Sequence, residues 1–165
     1  MLSGILKKEE CAACRFCCSF KKTSLWETPV FTKENIDAIK KDESLKSDSL
    51  NESENGGLIF ATYDLSGLYK TCDPNEEIPC PFLSETGCLL NDEQKPIDCK
   101  IWPVRIMRKD SKTVLALSPS CPVCNISDMD KIKKYVDETI RKDITEYAKD
   151  HPYLIKEFRS EYTII

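Results

Sequence analysis

Apolar positions along this chain follow two rhythms. A period near 3.6 predicts a short helix capped by Thr32, with Ile36 and Ile39 on its inner face and an end toward Lys40 to Leu45. The stretch Phe20 to Val30 before it, holding Trp26 and Pro29, and the polar stretch Lys46 to Gly57 after it both read as loops. Leu58 to Tyr63 is rich in strand formers and predicts a hairpin with Leu68 to Thr71. Val104 to Arg108 and Thr113 to Leu117 predict a second hairpin turning through Lys109 to Lys112. From Ser127 onward, Ile132, Val136, Ile140, Ile144 and Tyr147 form one apolar stripe, which predicts a helix capped by Ser127 or Asp128 and stopped at Asp150-His151-Pro152. Such a stripe packs against a core more often than it binds a cofactor. Pro152 then opens a short terminal helix through Tyr153, Leu154, Ile155 and Phe158.

Length and composition fit one globular domain, taken as residues 1–165 with a helical segment over 127–165. A net charge of −4, with Lys and Arg interleaved among Asp and Glu, lacks the basic footprint of a nucleic-acid binder. No run of 18 apolar residues predicts a membrane span. The first eight residues lack the apolar core and small-residue site of an export signal, so a reducing cytoplasm is the expected compartment and thiols the expected state of cysteine.

Cysteine changes the picture. Ten cysteines in 165 residues, against one histidine, is about 6% and well above ordinary usage. Cys11-Ala12-Ala13-Cys14-Arg15-Phe16-Cys17-Cys18 overlaps two Cys-x-x-Cys steps. That spacing lets neighbouring sulfurs reach one metal while the intervening amides turn toward them. The remaining cysteines are Cys72, Cys80 before Pro81, Cys88 after Gly87, Cys99, Cys121 before Pro122, and Cys124, which completes another Cys-x-x-Cys step. Ten thiols exceed one tetrahedral site; two four-thiolate sites, or one cluster and one zinc, would use eight. The adjacent pair Cys17-Cys18 has diverging side chains by expectation, so that it serves two metals or leaves one thiol for redox chemistry. Ordinary buried or disulfide cysteines are the bland alternative, and overlapping Cys-x-x-Cys steps are uncommon there.

These pieces in this order resemble the YkgJ-like cysteine-cluster family, described as a zinc- or iron-chelating domain. The resemblance is carried by Cys11, Cys14, Cys17 and Cys18, then Pro79-Cys80-Pro81-Phe82-Leu83, Gly87-Cys88, Lys95-Pro96 with Cys99-Lys100-Ile101-Trp102-Pro103, and Cys121-Pro122. It covers the chain from Cys11 to about Cys124. Lys95 and Lys100 stand where the family usually carries arginine, which keeps charge and loses guanidinium geometry. Spacing and resemblance together make Cys11, Cys14, Cys17, Cys18, Cys80, Cys88, Cys99 and Cys121 the expected ligands, with Cys124 able to replace one of the eight. Cys72 lies outside every paired spacing and outside the family pattern.

The expected function is a cysteine-ligated metal protein. The overlapping steps and the two Cys-Pro pairs favour a [4Fe-4S] iron–sulfur cluster with a redox or enzyme-accessory role. A structural zinc module that binds a protein partner is the alternative. A metal-dependent enzyme related to the flagellin lysine methylating enzymes, whose cysteine cluster is similar, is the third reading. No Ser-His-Asp set, phosphate-binding glycine loop or His-Glu-x-x-His run supports catalysis, and His151 reads as a capping or surface group. The expected fold class is α+β: a small irregular cysteine-rich core stabilised by metal, with short antiparallel strands and flanking helices. Two structural thiolate sites would contribute on the order of 10 kcal/mol each, enough to make folding depend on metal.

Overall fold

A computed structural model describes residues 13–125 and 128–165. Cys11 and the candidate cap Ser127 lie outside the described residues. Helices and antiparallel strands occur together, as the α+β expectation required, and the chain divides into two compact units, one running to Cys99 and the other from Lys100 to Ile165.

In the first unit, β2 (Phe31–Thr32), β4 (Leu58–Tyr63) and β3 (Leu50–Asn55) form an antiparallel sheet in the order β2-β4-β3. The loop expected over Lys46 to Gly57 therefore contains a strand. Leu50 is its sole apolar residue, and beyond it every residue is exposed, so β3 carries no alternating signal. It is an edge strand held by backbone pairing to β4 through the Gly56-Gly57 turn, where both glycines adopt positive φ. Leu68 to Thr71 forms no strand; β4 pairs with β2 and β3 instead.

Helix α1 (Lys33–Lys40) starts where Thr32 predicted and stops before Leu45. Asn35 accepts from the Thr32 backbone N–H and hydroxyl, and its amide donates to the carbonyls of Glu93 and Lys95. One buried side chain thus caps the helix and holds the segment that leads to Cys99. Ile36 and Ile39 turn inward, and with Phe20, Phe31, Tyr63, Ile78, Phe82 and Leu90 they form a core dominated by aromatic and aliphatic residues. Cys80 is its one buried cysteine, with Cys18 packed against it. Burying a side chain such as Phe31 or Phe82 contributes about 1.5–3 kcal/mol.

Two small antiparallel pairs carry the cysteine motifs. β1 (Ser19–Lys21), which begins the stretch expected to be a loop, pairs with β5 (Glu77–Pro79), matching Ser19 to Pro79. β6 (Leu83–Ser84) pairs with β7 (Gly87–Cys88), matching Leu83 to Cys88. Gly87 has φ 116°, which a side chain would strain, so the turn that delivers Cys88 needs glycine there. Cys99 lies on α2 (Ile97–Ile101).

In the second unit, β8 (Val104–Lys109) and β9 (Lys112–Leu117) form the expected hairpin in register from Val104 opposite Leu117 to Lys109 opposite Lys112. The short helix α3 (Pro122–Asn125) follows. The expected single C-terminal helix is broken into α4 (Met129–Thr139) and α5 (Arg141–Asp150), with Ile140 at φ −128° and ψ −19°. The Thr139 hydroxyl donates back to the Tyr135 carbonyl, a bond that bends helices, and Thr139-Ile140 is a β-branched pair. Asp128 caps α4 by accepting from the Asp130 N–H at 3.0 Å. Ile132, Val136, Ile144 and Ala148 are buried.

After a single 3-10 turn at Pro152–Leu154 the terminal segment is strand rather than the expected helix. β10 (Lys156–Glu157) runs parallel to β8, and β11 (Thr163–Ile164) antiparallel to β9. Ile155 leaves the turn with extended backbone, and the Phe158 N–H then donates to the Arg108 carbonyl. Among the described residues no helix is long and apolar enough to cross a membrane.

Candidate metal centre

Arg15 adopts a left-handed conformation, φ 53°, and starts a 3-10 turn over Phe16–Cys18. That turn brings two sulfurs the sequence expected to diverge onto one side: Cys17 Sγ and Cys18 Sγ are 4.0 Å apart. Immediately afterwards the chain enters β1, and Cys18 offers its carbonyl to the Cys80 N–H at 2.7 Å. The overlapping Cys-x-x-Cys run and the Pro-Cys-Pro-Phe-Leu motif, more than sixty residues apart, thus meet through one backbone bond. The Leu83 N–H closes a turn onto the Cys80 carbonyl at 2.9 Å and leads into β6, whose partner β7 carries Cys88. The Arg15 guanidinium donates to the Glu85 carbonyl in the β6–β7 turn, tying the first cysteine loop to the hairpin of Cys88.

Two groups bond Cys80 Sγ. The Tyr63 hydroxyl is 3.1 Å away, and the Phe82 backbone N–H also points at the sulfur. The Cys80 thiol is raised to about 11: burial is the largest cause, the bonds from Tyr63 and Phe82 oppose it, and the nearby Cys18 and Cys88 add to the rise. The bond from Cys17 and then burial raise the Cys18 thiol, while Lys95 and Arg15 draw it back. Tyr63 is raised well above an ordinary phenol by burial, then by Cys80, Cys99 and Cys88. Three cysteines from separate stretches, Cys80, Cys88 and Cys99, therefore lie within electrostatic reach of one buried hydroxyl, and Cys18 lies within reach of Cys80.

The donor chemistry suits a soft metal. Thiolates select zinc or iron–sulfur clusters, and an N–H and an O–H aimed at the same sulfur are the groups that support ligand thiolates. The raised Cys18 and Cys80 thiols would lose their protons to a bound metal, which links metal binding to proton release. Among the described residues no three Cys, His, Asp or Glu side chains stand together as a ready metal-binding group, so the sulfurs are neighbours without forming a closed coordination shell.

The other expected ligands are distributed as follows. Cys14 is exposed just before Arg15, and Cys88 and Cys99 are exposed as well. Cys72 is exposed on the loop before β5, away from any paired motif. Cys121 and Cys124 are buried and belong to the second unit, just before and on α3. His151 closes α5, its Nδ1 2.9 Å from the Tyr147 carbonyl and its ring stacked on Tyr147, in keeping with a capping group.

Sequence reasoning missed three residues beside the cysteines: Tyr63, Asp98 and the cation of Arg15. Asp98, buried next to Cys99, accepts the Val30 N–H at 3.0 Å and so fixes the start of α2. An Asp immediately before a motif cysteine was the one visible signal for it; Tyr63 gave none beyond its place in a strand. No family model, no curated protein and no solved structure matches this chain.

Proposed function

We propose that the chain is a cysteine-ligated metal protein whose site is built on Cys18, Cys80, Cys88 and Cys99, with Cys11, Cys14 and Cys17 as further ligands; in the second unit Cys121, or Cys124 in its place, is a metal ligand in its own right. The observation that carries this reading is the backbone bond from Cys80 to Cys18, which joins two cysteine motifs remote in sequence beside a third, at Cys88, in the register of one hairpin. Sulfur is the only abundant soft donor in the chain, since a single histidine sits elsewhere as a helix cap. The motif order that resembles the YkgJ-like family supports the same ligand set.

An iron–sulfur cluster of the [4Fe-4S] type is the preferred occupant, because overlapping Cys-x-x-Cys steps followed by remote Cys-Pro ligands are its usual setting. Such a cluster would supply one-electron transfer, and the role that follows is redox or accessory to a partner enzyme in the cytoplasm. The protein's own part is to present thiolates, with the Tyr63 hydroxyl and the Phe82 N–H supporting Cys80 and with Arg15 and Lys95 offsetting negative charge near Cys18. A structural zinc site in a protein-interaction module is the second reading, favoured by the burial and aromatic packing around Cys80, since structural zinc sites are closed and supply folding energy.

Anaerobic purification from cells supplied with iron and sulfide separates the two. Brown protein with matching iron and acid-labile sulfide, and a Mössbauer spectrum of a cluster, supports the first. Stoichiometric zinc without labile sulfide replaces it with the second.

A further inference from the structure

We infer that Tyr63 is a positioning residue for Cys80: its hydroxyl donates to the sulfur and fixes the direction in which that thiolate can bond. The inference rests on Cys80 being a metal ligand, and it names a residue that no cysteine motif includes. Tyr63 ends β4 with its ring among Phe20, Phe31 and Phe82 at centroid distances of 5.5, 5.2 and 6.1 Å. Only 8% of the residue is exposed. For packing alone a phenylalanine would serve, and a buried phenol needs a partner for its hydroxyl. The described partner is Cys80 Sγ at 3.1 Å, 17 residues further along the chain.

Position makes this contact more than incidental. Cys80 is held from its backbone by the Cys18 carbonyl and from its sulfur by the Phe82 N–H, so the Tyr63 hydroxyl supplies a donor from a different element, the central strand of the three-stranded sheet. A neutral donor stabilises a thiolate without adding charge. It also couples the sulfur to a strand paired on both edges, whereas the cations near Cys18 come from Arg15 and Lys95, outside any strand. Groups that orient a metal ligand through hydrogen bonds change metal affinity by about 10–100-fold when removed.

The test uses the full chain with Tyr63→Phe and, as a packing control, Phe31→Leu, which loosens the same aromatic cluster and leaves the hydroxyl in place. Reduced, metal-free protein is titrated with Co2+ alone, read by the thiolate-to-cobalt charge-transfer band, and challenged with a chelator. Tyr63→Phe is expected to hold cobalt about ten-fold more weakly at an unchanged melting temperature of the metal-free protein. Phe31→Leu is expected to melt lower and hold cobalt as the unsubstituted protein does. Equal retention in Tyr63→Phe, or equal loss in Phe31→Leu, overturns the inference. A second readout needs no metal: the S–H stretching band of Cys80, assigned by difference against Cys80→Ser, shifts in Tyr63→Phe if the hydroxyl bonds the sulfur, and an unmoved band overturns the contact. Absence of any charge-transfer band in the unsubstituted protein sinks the metal-site reading, and the infrared result still decides the Tyr63 contact.

Discussion

The Cys80 backbone N–H donates to the Cys18 carbonyl across 2.7 Å, at the end of the two-stranded pairing between β1 and β5. Because β1 follows the 3-10 turn of Cys17 and Cys18 without a spacer, and Cys80 follows β5 directly, this one bond places the last thiol of the first motif beside the first thiol of the second. The pairing also explains why Cys72 stands apart: it is separated from β5 by an exposed, hydrogen-bonded loop.

Serine substitutions should follow that geometry. Cys18→Ser, Cys80→Ser, Cys88→Ser and Cys99→Ser each lower bound metal and the melting temperature of the metal-loaded protein, because metal binding contributes folding free energy. Cys72→Ser leaves both unchanged. Metal analysis and thermal melts of the five variants check the set; a metal-free Cys72→Ser, or full occupancy after Cys80→Ser, contradicts it.

Asp98 fastens the helix that carries Cys99 to the backbone of Val30 at 3.0 Å. Asp98→Ala leaves a buried N–H without that acceptor and costs about 1–3 kcal/mol, measured by urea unfolding. Asp98→Asn keeps an acceptor oxygen and is expected to recover most of the loss.

Glu76 makes the loop ahead of β5 pH-sensitive. The backbone N–H groups of Lys70 and Thr71 donate to its carboxylate at 2.8 and 2.9 Å and hold its pKa at about 2, below the ordinary 4.5. A carboxylate depressed in the folded state supports that state fully above its unfolded pKa and loses this support as pH falls through the folded value. Amide resonances of Lys70 and Thr71, followed by NMR in an acid titration, should therefore move with a midpoint near 2; a midpoint near 4.5 would show that the bonds do not form.

The turn of the second hairpin is strained where it need not be. Asp110 and Ser111 both adopt positive φ, 49° and 63°, the conformation that two-residue hairpin turns give to Asn-Gly. Replacing the pair by Asn-Gly is expected to stabilise the protein by about 1 kcal/mol, seen as a higher melting temperature.

Parts of this architecture were legible in the sequence for identifiable reasons. The β8–β9 hairpin joins two runs of strand formers through the polar turn Lys109 to Lys112, and Thr32 carries the side chain a helix cap requires. β3 was not legible, because Asn51 to Asn55 offers no apolar face and depends wholly on its backbone pairing with β4. The break at Ile140 was hidden because the apolar stripe keeps its period through it, while the Thr139 hydroxyl that bends the helix lies off the stripe. At the site, cysteine spacing pointed to the motifs that meet. It could not show that Cys17 and Cys18 face the same way, which depends on the left-handed Arg15, nor that Tyr63 reaches Cys80, which depends on the strand order of the sheet.

X-ray absorption at the edge of the bound metal tests the thiolate site most directly. The first coordination shell should fit sulfur alone, at about 2.3 Å, with an additional metal–metal scattering path if the occupant is a cluster. Nitrogen or oxygen in that shell, or no metal retained by anaerobically purified protein, would contradict a centre built on Cys18, Cys80, Cys88 and Cys99.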